Sequence, residues 1–149
     1  MKLLLTLLVA GMFNAPTAWS AAGLVSVASQ NDVQRTVDLL KQKAKTFGFE
    51  VVLVLDNASK TKDKKHGKLL LLDNPKHEWP LLSKSDTIGV DLPLKVLTFA
   101  DKEGQVWMTY MDPRSIAARH NVSDSDEAEK LADALSSLTL VAATGKRQN

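Results

Sequence analysis

No cysteine occurs anywhere in the chain, which excludes a disulfide framework, a thiol nucleophile and a thiolate-held metal. Stability must therefore come from a buried core or from association. Charge of one sign is also lacking: 19 Lys and Arg stand against 17 Asp and Glu, a net +2 with Lys2 included. That balance argues against a general nucleic-acid binder, whose footprint is strongly basic. Beyond the first residues no long apolar run appears, so a membrane span is not expected. There is no internal repeat and no composition break that would mark a second domain.

What is present begins with MKLLLTLLVAGMFNAPTAWSAA. One lysine, an apolar run and then small residues read as a secretory signal over residues 1–22, with cleavage after Ser20 or Ala22. The expected product is an exported domain, in a bacterial periplasm, over residues 23–143, followed by a flexible tail at 144–149.

Residues 24–27 alternate as a short strand. Ser29 with Asp32 resembles a capping box, and Val33, Val37, Leu40, Ala44 and Phe47 make one apolar stripe, giving a helix over about residues 32–47 that stops at Gly48. Residues 50–55, EVVLVL, read as a buried strand, and residues 68–72 as another, bracketed by Gly67 and Pro75. Residues 73–80 are expected to turn, 81–84 to make one helical turn, and the rest as far as Pro93 to be irregular. A short helix starts after Pro113 near Arg114. Ser123 with Asp126 caps a last helix through about Leu138, which residues 140–143 either extend or follow as an edge segment. The order β-α-β4-α predicts an α+β fold: one mixed or antiparallel sheet with two long helices on one face.

The clearest local signal is a hairpin. Residues 94–100 and 105–110 are rich in β-branched and aromatic side chains and flank Asp101-Lys102-Glu103-Gly104. Asp first and Gly fourth fit a type I turn closed by a left-handed bulge at Gly104, which sets Phe99 opposite Trp107. Leu97, Phe99 and Trp107 then share one face, while Val96, Ala100, Val106, Met108 and Tyr110 share the other. Both faces are apolar, so both want cover. Helices can cover one. Loops, a second chain or an apolar ligand must cover the other.

Several pieces taken together carry a family resemblance. They are Asp56-Asn57-Ala58, Asn74-Pro75, Trp79-Pro80-Leu81, Asp91-Leu92-Pro93-Leu94-Lys95-Val96-Leu97, and Val106-Trp107-Met108-Thr109-Tyr110 with Pro113. Over about residues 23–143 the chain resembles the domain-of-unknown-function family number 302. The resemblance implies a β-α-β4-α domain, often dimeric and with no assigned activity. Members commonly carry His where this chain has Asn57, and Gly where it has Asp73. Any activity relying on that histidine is in doubt here.

Catalytic signatures are otherwise missing. His66, His77 and His120 lack the spacing of a helix-borne metal site, although the fold could bring them to Met108 or Met111 as ligands for copper or haem. No Gly-X-Ser-X-Gly elbow occurs. Asp124, Asp126 and Glu127 sit at a helix start, where carboxylates complement the helix dipole. Ala143-Thr144-Gly145-Lys146 lacks the first glycine of a phosphate loop. The lysines at 60, 62, 64, 65 and 68 read as a solvated connection, or as a patch for anionic lipid, sugar or nucleic acid. Asp56-Asn57 and Asn74-Pro75 follow consecutive strands, which suggests loops opening at one edge of the sheet. The pocket expected there would draw on Asp56, Asn57, Asn74, Lys95, Tyr110 and Arg119 to bind an unknown small ligand. The sequence therefore points to an exported binding or accessory domain acting as a homodimer, with no cofactor or metal and no catalytic residue assigned. A small enzyme or a metal- or haem-dependent redox accessory is the alternative.

Overall fold

The computed structural model describes residues 18–21, 23–56, 67–122 and 125–145. The lysine-rich connection, with Asn57 and His66, and Ser123 with Asp124 lie outside the described residues. Six strands form one antiparallel sheet: β1 (Ala18–Ala21), β2 (Leu24–Ser29), β3 (Glu50–Asp56), β4 (Gly67–Asp73), β5 (Leu94–Ala100) and β6 (Val106–Met111), in the spatial order β1-β2-β6-β5-β4-β3. The helices are α1 (Val33–Lys43), α2 (Pro75–Leu82), α3 (Pro113–Arg119) and α4 (Asp126–Thr144). The expected α+β class and the β-α-β4-α core are present. Strand β1 is an addition, and it falls within the stretch read as the end of the leader.

Alternation along the strands decides where the core lies. Val27, Leu70, Leu72, Val96, Thr98, Met108 and Tyr110 are buried on one face. α1 packs over β4 and β5 there, α4 over β2, and the two helices pack on each other. Leu39 and Leu40 of α1 share that core with Leu131, Leu135 and Leu138 of α4. Fully burying each such leucine contributes roughly 1.5–3 kcal/mol. A chain without disulfides relies on this layer.

The ends of α1 and α4 are tied by polar side chains. Asp32, not Ser29, caps α1: its carboxylate accepts from the Arg35 N–H at 2.7 Å. Ser29 instead meets the Thr36 hydroxyl at 2.7 Å. The Asn31 amide donates to the carbonyls of Ala142, Ala143 and Gly145, which the end of α4 leaves without helical partners. α4 runs six residues past the expected end at Leu138, so residues 140–143 extend it.

The hairpin adopts the expected register, with Phe99 opposite Trp107. Gly104 has φ +86°, the left-handed conformation in which a Cβ is penalised. Asp101 does more than start the turn. Its carboxylate accepts from the N–H groups of Glu103 and Gln105 and from Trp107 Nε1, at 3.0, 2.8 and 2.8 Å. These bonds hold its pKa below the usual value, the Trp107 bond most of all.

The stretch after β4 differs from expectation. Residues 75–82 are helical despite two prolines. Pro75 occupies the first turn, where a missing N–H costs nothing. Pro80 deprives the Lys76 carbonyl of its helical donor, and Lys76 is exposed, so water can supply one. A 3-10 turn at Asp86–Val90 follows, in the part expected to be irregular.

Candidate functional site

Polar groups concentrate where β4 ends and the long connection to β5 begins. Asn74 and Glu78 are 1% and 3% exposed. Asn74 starts α2: its carbonyl accepts from the N–H groups of His77 and Glu78, and its own N–H donates to Glu78 Oε1 at 3.2 Å. Its side-chain carbonyl is buried without a partner. The amide lies against Gly48, which has φ +81°; a Cβ there would stand 3.2 Å from Asn74 Nδ2. Burial first, and then a hydrogen bond with Asp73, push the Glu78 carboxyl up to about 8, against smaller pulls from the Asn74 N–H and then Lys95. At neutral pH Glu78 is therefore a neutral acid donating to Asp73, because ionising it in this setting would cost more than holding the proton.

A second constellation lies at the same end of the sheet. His120, just after α3, places Nε2 2.7 Å from Asp91 Oδ2 and Nδ1 2.9 Å from the Thr87 hydroxyl, which stands 3.0 Å from that of Ser85. A carboxylate only accepts, so with neutral His120 the proton sits on Nε2, and Nδ1 is left to accept from Thr87. The order carboxylate, imidazole, hydroxyl is the connectivity that activates a nucleophile. Arg119 lies 3.8 Å from Asp91. A cavity of about 50 Å³ opens beside it, lined by Asp91, Leu94, Lys95, Met111 and Ile116, which is room for a few waters. A third contact, His77 with Glu127 at 2.5 Å, ties α2 to the start of α4. It is the main reason the Glu127 carboxyl lies well below its usual pKa, with Lys130 next.

The residues expected to share one pocket are dispersed. Strands β3 and β4 are antiparallel, so their C-terminal ends lie at opposite ends of the sheet. Asp56 pairs with Lys68 at one end, 3.3 Å apart, and Asn74 lies at the other. Asn57 is outside the described residues. Tyr110 is 5% exposed and lies in the core, where burial raises its pKa against a smaller opposing effect of Thr139 on α4. Asn74, Lys95 and Arg119 remain at one end. Lys95 donates to the carbonyls of Asp91 and Pro93 at 3.4 and 3.3 Å. The Asp91–His120–Thr87 set was not anticipated, since 33 residues separate Thr87 from His120.

The broadest feature is the outer face of the sheet, away from α1 and α4. In register, Leu55, Leu69 and Leu97 form one cross-strand row, and Leu53 and Leu71 another ending at Lys95. Phe99 and Trp107 form a third beside Ala28. Leu53 and Leu55 are 44% and 45% exposed, and Leu69, Leu71, Leu97, Phe99 and Trp107 are part-exposed. Toward β2 the face turns polar, but Ser26 and Thr109 bond each other at 2.9 Å, so covering them would leave no lone hydroxyl. Among the described residues no cluster of three or more His, Cys, Asp or Glu could hold a metal ion. Among the same residues no helix is long and apolar enough to cross a membrane.

Comparison with known proteins gives three findings. The family model described as Domain of unknown function DUF302 matches residues 25–138. Proteins named "Fluoride-specific ion channel FluC 1" from Brucella suis and Brucella abortus are 34% identical over 110 residues, which is 71% of this chain but only 43% and 41% of theirs. The chain thus spans less than half the length of these relatives. A crystal structure of an uncharacterized conserved protein DUF302 from Bacillus stearothermophilus superposes with a TM-score of 0.66 at 20% identity. It covers 83% of this chain and 97% of its own, a likeness of fold.

Glu78 generates a pH prediction. Its folded pKa is raised from 4.5 to about 8, so between those values the native state holds a proton that the unfolded chain has released. Stability must then fall as pH rises through that window, by roughly 1 kcal/mol per unit. Glu78→Gln, which keeps an acceptor for Asn74 and a donor for Asp73, is expected to unfold like the wild type near pH 5 and to be more stable by a few kcal/mol near pH 8. Urea denaturation at the two values measures this. Parallel wild-type and variant profiles would mean that Glu78 is ionised in the fold.

Proposed function

This chain belongs to the DUF302 family, and we propose that it works as an exported binding or accessory domain that pairs with a second copy of itself through the outer face of its sheet. The observation that carries the reading is the row Leu55–Leu69–Leu97 with Phe99 and Trp107 beside it, on a face that no described helix covers. The five strands β2 to β6, each occupying ~4.8 Å, and six residues at ~3.3 Å give a face roughly 25 by 20 Å. That is about 500 Å² in projection, near the lower limit per partner for a specific interface. An accessory role also suits a stretch that makes up under half of relatives named as ion channels. Export rests on the leader-like residues 1–22. Cleavage after Ser20 would remove three of the four residues of β1, and cleavage after Ala22 all of them, leaving β2 as the edge strand of the mature sheet.

Sedimentation velocity tests the pairing. The wild type is expected to sediment as a dimer at micromolar concentration. Leu97→Lys, which places a charge at the centre of the outer face, is expected to sediment as a monomer while keeping its helical circular dichroism. A wild type that stays monomeric across this range contradicts the reading.

The Asp91–His120–Thr87 connectivity favours a second reading, a small hydrolase with Thr87 as nucleophile and His120 as base. It expects hydrolysis of p-nitrophenyl acetate that falls at least about a hundredfold in Thr87→Ala and in His120→Gln. A wild-type rate equal to that of buffer alone removes it.

A further inference from the structure

The two most exposed large apolar residues among the described ones are Val90 and Trp79, at 81% and 71%. Neither belongs to a strand, so neither is part of the outer face of the sheet. Leu82 joins them. It follows Trp79 by three residues in α2, and residues so spaced are neighbours on a helix surface. Its Cδ2 stands 3.4 Å from where a Cβ on Gly89 would lie, so Leu82 reaches the residue before Val90. Trp79, Leu82, Gly89 and Val90 thus form one apolar strip, and an exposed strip of this kind marks a binding surface more often than a scattered apolar residue does.

The strip ends on a hydroxyl. Thr87 and Val90 are three residues apart in the 3-10 turn Asp86–Val90, and side chains at that spacing eclipse in a 3-10 helix. Val90 therefore stands over Thr87, whose hydroxyl donates to His120 Nδ1 at 2.9 Å and lies 3.0 Å from the Ser85 hydroxyl. Depth follows the chemistry. Thr87 is exposed, while the side chains of His120 and Asp91 are 12% and 23% exposed. A carbonyl can reach the hydroxyl from solvent, and an apolar group attached to that carbonyl would lie along the strip. We propose that the ester taken at Thr87 is one with an unbranched apolar acyl chain, held along Val90, Leu82 and Trp79. This rests on the hydrolase reading, with Thr87 as nucleophile and His120 as base. Thr87 Oγ1 bonds to the acyl carbon as its proton passes to His120 Nδ1, and Asp91 meets the resulting imidazolium at Nε2. The bond from the acyl carbon to the alcohol oxygen breaks, and the alcohol leaves with that proton. Water then attacks the Thr87 ester by the same route, which frees the carboxylic acid and restores the hydroxyl. The strip touches the chain and not the reacting atoms, so it sets which ester is preferred.

The experiment measures kcat/KM of the full chain on p-nitrophenyl acetate, butyrate and octanoate, each below the concentration at which it aggregates and each relative to its rate in buffer. Removing one CH2 from water contributes a factor of up to about four, and an open strip covers a chain only in part. The value is therefore expected to rise about tenfold or more from acetate to octanoate. Trp79→Ala and Val90→Ser are each expected to lower the octanoate-to-acetate ratio several-fold. Leu140→Ala, which removes an exposed leucine from α4, is expected to leave that ratio unchanged. A wild-type ratio near one, or a ratio that neither Trp79→Ala nor Val90→Ser alters, would overturn the acyl strip while leaving Thr87 as nucleophile. Hydrolysis of no ester above the buffer rate would remove the hydrolase reading and the strip with it.

Discussion

The packing of α1 and α4 against one face of a six-stranded sheet is the constraint on which the rest depends. Side chains alternate strictly along a strand, so a layer that buries Leu70, Val96 and Met108 necessarily turns Leu69, Leu97 and Trp107 the other way. Had that second set been polar, the sheet would have been an ordinary half-covered one. It is leucine and aromatic instead, and the chain has no third helical layer among its described residues to place there. The unusual feature of the molecule is therefore a consequence of composition on one strand parity. Shifting any strand by one residue would exchange the two sets and dismantle the core.

How much of this was legible in the sequence depended on how local the cause was. The hairpin could be read in detail because Asp101 and Gly104 fix its register within four residues. The element order β-α-β4-α followed from periodicity together with breakers such as Gly67 and Pro75. The helix α2 could not be read, since two prolines in eight residues argue against a helix, and only the burial of Glu78 and Leu81 beneath it makes the conformation worthwhile. Capping was half legible: the capping-box reading made Ser29 the cap and Asp32 its partner, whereas Asp32 is the cap and Ser29 meets Thr36. The shared pocket failed for a topological reason. Consecutive strands that pair antiparallel end at opposite sides, and nothing in the spacing of Asp56 and Asn74 states the pairing direction. Distant partners left no local signal, as with Thr87, Asp91 and His120.

The two ends of the sheet thus have different characters. At the Asn74 end, Glu78 and His77 anchor the β4–β5 connection to Asp73 of β4 and Glu127 of α4, and Asp91 of the connection meets His120 after α3. The proton on Glu78 is part of its anchor, which makes that connection sensitive to pH. At the Gly104 end the contacts are turn geometry and the Asp101 carboxylate, which holds its charge to lower pH than an ordinary aspartate. Function, on this account, belongs to surfaces rather than to a deep cleft. The apolar outer face, on which Leu53 and Leu55 are 44% and 45% exposed, is broader than the cavity of about 50 Å³ beside Asp91.

The central claim is that the outer face, and not the core, responds to the presence of a second copy. Methyl-resolved NMR spectra recorded from micromolar to millimolar protein test it most directly. The account predicts that the methyls of Leu69, Leu71 and Leu97 shift together with concentration, while those of Leu70, Leu72 and Leu135 stay in place. Shifts confined to other surfaces, or outer-face methyls that do not move at any concentration, would contradict it.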